Sequence, residues 1–84
     1  MQLPAINING TSKQSLLDQY QRGWGAVNDA ISAIQAIEVH GRDYQTIANS
    51  NAASDAIKEH RERLSMLRKV RDELEKIMEH IHDS

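Results

Sequence analysis

The chain has 84 residues, with ten Lys or Arg against twelve Asp or Glu, a net charge of −2 and no cysteine. Disulfides, thiolate metal sites and cysteine redox chemistry are excluded, and the near-neutral balance gives no global pull toward nucleic acid. A domain this small buries only roughly 60–65% of the surface its unfolded chain exposes, so oligomerisation is an expected aid to stability.

The opening Met1-Gln2-Leu3-Pro4-Ala5 has neither the basic region nor the apolar core of a signal peptide, and no apolar run is long enough to span a bilayer. With cysteine absent, these features point to a soluble protein of a reducing cytoplasm. Abundant Ala, Ile, Leu, Glu, Arg and Gln, a single Pro and no Phe favour helix.

Residues 1–10 stand apart. Ile6 and Ile8 alternate with Asn7 and Asn9, and Asn9-Gly10 is a turn dipeptide. An extended arm that lays both isoleucines on an apolar surface and a frayed terminus are equally open readings. Residues 11–84 read as a helical hairpin. Thr11-Ser12-Lys13-Gln14 has the form of a capping box, with Thr11 as the N-cap and Gln14 three residues on. From there Leu17, Tyr20, Trp24, Val27, Ile31 and Ile34 recur at three-four spacing, and Leu16, Ala30 and Ile37 widen the stripe. The first helix is expected over about 12–40, ending at a left-handed Gly41. Gly23 and Gly25 mark either a bend or the close approach of another helix. A loop over 41–49 leads to a second helix over about 50–82. Its stripe is Ala53, Ile57, His60, Leu64, Leu67, Val70, Leu74, Ile77 and Ile81, with Met66 and Met78 beside it. Charges occupy the opposite face in pairs four apart: Glu59–Arg63, Arg68–Asp72, Lys69–Glu73, Arg71–Glu75 and Asp72–Lys76.

Two helices of roughly 28 and 32 residues would be about 40–50 Å long and cross at a shallow angle of about 20°. An isolated pair has a seam but no enclosed core, and these stripes are wider than one seam requires. The expected fold is therefore all-α: a long antiparallel hairpin with an extended arm, pairing with a second copy into a four-helix bundle. Leu16, Trp24, Ile37, His60, Met66, Val70, Ile77 and Met78 are the candidate oligomer-interface residues.

Few residues point to chemistry. His80 and His82 lie two apart and face different ways on a helix, while Glu79 and His82 have a Glu-x-x-His spacing without the inward glutamates a bundle metal site needs. No metal or other cofactor is expected. His60 falls on the apolar stripe, either as a half-buried, hydrogen-bonded histidine or as a pH-responsive element, because burial lowers an imidazole's pKa. Arg61, Arg63, Arg68, Lys69 and Arg71 are interleaved with Glu59, Glu62, Asp72, Glu73 and Glu75, which marks a solvated face rather than a phosphate-binding stripe. Arg42, Asp43 and Tyr44 in the loop are the candidate partner-binding residues, since Arg and Tyr often carry interface energy; alternatively Tyr44 folds back over the end of the hairpin. No nucleophile–base constellation or phosphate loop is present, so an enzyme is not expected.

The stretches Ile8-Asn9-Gly10-Thr11-Ser12, Gly41-Arg42-Asp43-Tyr44 and Glu59-His60-Arg61-Glu62-Arg63-Leu64 resemble small helical proteins of unknown function encoded by tailed bacteriophages and prophages. The resemblance spans Ile8 to about Leu74 and brings no active site with it. It implies a phage-type accessory or assembly protein of the bacterial cytoplasm. The expected function is thus a non-enzymatic interaction module whose partners are itself and another protein. The alternatives are a small nucleic-acid-associated regulator and an inhibitor of a host protein.

Overall fold

The computed structural model describes residues 1–84. It contains two long helices, α1 (Lys13–Gln35) and α2 (Ala52–His82), with a single 3-10 turn over Gly41–Tyr44 between them and no strand. The helices run antiparallel. Lys13 Nζ donates to the main-chain oxygen of Ser84 at 2.9 Å at one end, and Arg71 Nη1 donates to Asn28 Oδ1 at 3.4 Å midway along the rod.

α1 begins one residue later than the capping-box reading expects. Ser12, not Thr11, is the N-cap: its backbone is extended and its hydroxyl accepts from the Ser15 amide at 3.2 Å. That removes Gln14 from the reciprocal position of a capping box, and its side-chain amide donates to Asp18 instead. The helix is continuous through both glycines. A methyl group on Gly23 would lie 4.0 Å from Leu74, whereas around Gly25 nothing stands within 4 Å.

The expected end of α1 at His40-Gly41 is corrected by five residues. The helix stops at Gln35, tightening through a bond from the Ile37 amide to the Ile34 carbonyl. Gly41 is not a left-handed cap; no glycine has positive φ, and Gly41 opens the 3-10 turn. Beyond that end, Glu38 meets His40 Nε2 at 2.8 Å in solvent.

α2 starts at Ala52, two residues beyond the start expected near Ser50, so the connection runs over 36–51 rather than 41–49. The Asn49 side chain accepts from the Asn51 amide at 3.0 Å and the Asn49 carbonyl from the Ala52 amide at 3.1 Å, which winds the chain into the first turn. Asp55 in that first turn complements the positive end of the helix dipole.

Because α1 has 23 residues and α2 has 31, the first turns of α2 extend beyond α1. The connection folds over them, with Val39 and Tyr44 half-buried and Ala53, Ile57 and His60 half-buried beneath. The result is a rod of 62 × 21 × 17 Å with a radius of gyration of 18.8 Å, against about 12 Å for a compact chain of this length. Only Ile31, Leu64, Ile77 and Ile81 are buried.

Candidate interaction surface

Residues seven apart stay on one side of helices that pack at a shallow angle. That rule sorts the hairpin into a seam and two flanks of different chemistry. In α1 the seam row is Leu17, Trp24 and Ile31; on one side lie Gln14, Gln21, Asn28 and Gln35, and on the other Leu16, Gly23 and Ala30. In α2 the seam row is His60, Leu67, Leu74 and Ile81. Arg71 and Met78 fall on the side of the α1 glutamines, while Arg63, Val70 and Ile77, with Glu59, Met66, Glu73 and His80 outside them, fall on the other.

The contacts agree with this sorting. Asn28 and Arg71 bond on the polar flank. Further along that flank, Gln14, Leu17, Gln21, Met78, Glu79, His82 and Asp83 line one open groove. A second groove on the opposite side is lined by Leu16, Gln19, Tyr20, Gly23 and Leu74. The glutamines and asparagine remain content in water beside Leu17 and Met78 of the first groove, while the large apolar side chains most exposed on α2, Met66 and Val70, lie on the second flank.

The candidate interface residues separate accordingly. Met66 and Val70 are 62% and 44% exposed, and Leu16 is half-buried beside the groove at Gly23; these three belong to the apolar flank, whereas Ile37, 56% exposed, lies in the connection beyond the end of α1. Ile77 lies on the same side but is already buried within the chain. Met78 sits on the polar flank, and Trp24 lies in the seam. His60 is half-buried under the connection, and its imidazole is not among the three that hydrogen-bond, those of His40, His80 and His82. The structure therefore does not gather these eight residues on one surface.

The arm lies against one end of the apolar flank. His80 Nε2 donates to the Pro4 carbonyl at 2.8 Å, and Pro4 and Ile6 are half-buried. Ile8, which the arm reading but not the frayed-terminus reading lays beside Ile6, is 96% exposed, because Asn7 starts a turn there: its side chain accepts from the Asn9 amide and its carbonyl from the Gly10 amide. Arg42 and Asp43 point into solvent on the 3-10 turn, with Tyr44 half-buried against the overhang of α2.

Of the five expected charge pairs only Glu59–Arg63 closes, at 3.7 Å with both side chains 60% exposed. Arg71 turns to Asn28 and to Asp72 at 3.5 Å rather than to Glu75. Glu73 has no ion partner within the chain. No three His, Asp or Glu side chains converge as a metal site would require, and no helix is long and apolar enough to cross a membrane. One polar atom is out of place: Trp24 Nε1 is buried without a hydrogen-bond acceptor.

Sequence reasoning missed the difference between the flanks, although the signal was present as two rows spaced seven residues apart in α1, one all amide and one all small or apolar. Which row flanks which part of α2 required the register of the two helices. The class defined by these observations is an all-helical antiparallel hairpin with one apolar flank. Comparison with protein-family models, with curated proteins and with solved structures finds no match.

Proposed function

We propose that this protein is a non-enzymatic interaction and assembly module, built by pairing the apolar flank of one copy with that of a second into a four-helix bundle. The observation that carries the reading is excess surface. The chain exposes 6407 Å², whereas a compact monomer of its mass exposes about 5,000 Å². The difference of about 1,400 Å² exceeds the roughly 800 Å² per partner buried in a standard stable interface. Exposed Met66 and Val70 lie one turn apart on the apolar flank of α2.

In the assembled form the polar flank, the charged outer face of α2 and the Arg42-Asp43-Tyr44 turn remain available to another protein. The phage- or prophage-type accessory role implied by the short motifs, exercised in the bacterial cytoplasm, belongs to the same proposal. Sedimentation equilibrium over a concentration series, paired with thermal melting, tests it. A dimer whose melting temperature rises with concentration is expected. The double substitution M66K/V70K, at two exposed helix positions, is expected to give a helical monomer. A wild-type chain that remains a stable monomer at high concentration would exclude self-pairing as the use of this flank.

A further inference from the structure

The way two copies would fit follows from the register of the hairpin. Gly23 faces Leu74, Asn28 bonds Arg71 and Lys13 bonds Ser84, so Ala30 stands level with the stretch of α2 between Met66 and Val70. Ala30 belongs to the same row of α1 as Leu16 and Gly23. In α2, Arg63 and Glu73 lie equally far on either side of the point midway between Met66 and Val70. All of these positions belong to the apolar flank, and the two α2 pairs share one centre.

Resting on the dimer reading above, we propose that the occupant of this flank is a second copy stacked antiparallel, like helix on like helix. The two-fold axis crosses the flank at Ala30 and between Met66 and Val70. A two-fold interface is self-complementary: what residue i does to j, j does to i. Here Met66 covers the partner's Val70. Ala30 meets the partner's Ala30, small against small, which lets the backbones approach. Arg63 meets the partner's Glu73 at both ends of the contact.

Charge selects this arrangement. Glu73 has no ion partner in its own chain, and Arg63 has only the long, exposed contact to Glu59. Ten residues of helix separate Arg63 and Glu73 by about 15 Å, so they cannot pair within one chain. Stacking α2 parallel on its copy would oppose arginine to arginine and glutamate to glutamate. Stacking α1 on the partner's α2 would bring Arg63 level with Gln35 and form no such pair.

Charge reversal and a single cysteine test the arrangement. R63E and E73R are each expected to weaken the dimer about tenfold or more, since two symmetric contacts become repulsive, and R63E/E73R to restore it. The chain has no cysteine of its own, so A30C is expected to oxidise to a covalent dimer, while S32C, away from the apolar flank, is not. A wild-type dimer with no restoration and no A30C crosslink would overturn this geometry and leave self-pairing standing. A monomer at all concentrations would overturn both.

Discussion

Ser12 carries more of α1 than its neighbour Thr11, although the two hydroxyls look equivalent in sequence. The Ser12 hydroxyl satisfies the Ser15 amide, one of the four that a helix N-terminus leaves unpaired. S12A is expected to cost about 1 kcal/mol and lower the melting temperature by roughly 4–8 °C, with T11A near neutral; equal losses in calorimetry would restore Thr11 as the cap. Trp24 presents the reverse case, a buried donor with nothing to donate to. An unsatisfied buried group costs about 1–3 kcal/mol, so W24F, which discards the N–H with the indole, is expected to change stability by less than about 1 kcal/mol. W24A, which also opens a cavity, should cost about 3 kcal/mol in urea unfolding. A W24F loss as large as that of W24A would mean that the N–H finds an acceptor in solution. Neither feature was legible from residue type alone: the cap depends on where the backbone turns helical, and the orphan donor on what packs around the indole.

At the scale of elements, three-four spacing identified both helices, because a helix must bury one stripe whatever it packs against. It did not locate the end of α1, since glycine at position 41 resembles a cap. That end lies at Gln35, and the glycine opens a 3-10 turn six residues further on. Gly41 consequently has an ordinary backbone, with open space where a side chain would begin. G41A is expected to leave stability unchanged or raise it by about 0.4–1 kcal/mol, where a left-handed cap would lose about that much. G25A, inside α1 with nothing near, is expected to stabilise by about 0.5–1 kcal/mol. Urea midpoints at constant slope check both, and a destabilised G41A would return the helix end to position 40. The surface charge pairs were equally legible as a pattern and poorly legible as contacts. Each is worth a few tenths of a kcal/mol, too little to hold two long side chains in one geometry.

For the whole molecule, the question is how a rod with four buried residues remains folded. The proposed dimer offers an answer: its two hairpins would stack flank to flank and overlap along their length rather than extend it. Small-angle scattering of the dimer is therefore expected to give a longest dimension close to the 62 Å of one chain, with a thicker cross-section; a particle nearly twice as long would mean end-to-end association instead. By itself, the amino-acid sequence determined the all-helical class, the existence of two amphipathic helices and the exclusion of cysteine chemistry. Those properties follow from local spacing and residue type. Only the tertiary structure decided where α1 stops, that the arm docks at His80, and that the amide row and the apolar row fall on opposite flanks. These depend on the register between distant segments, and register is settled by the packing of the seam as a whole rather than by any residue's own preference.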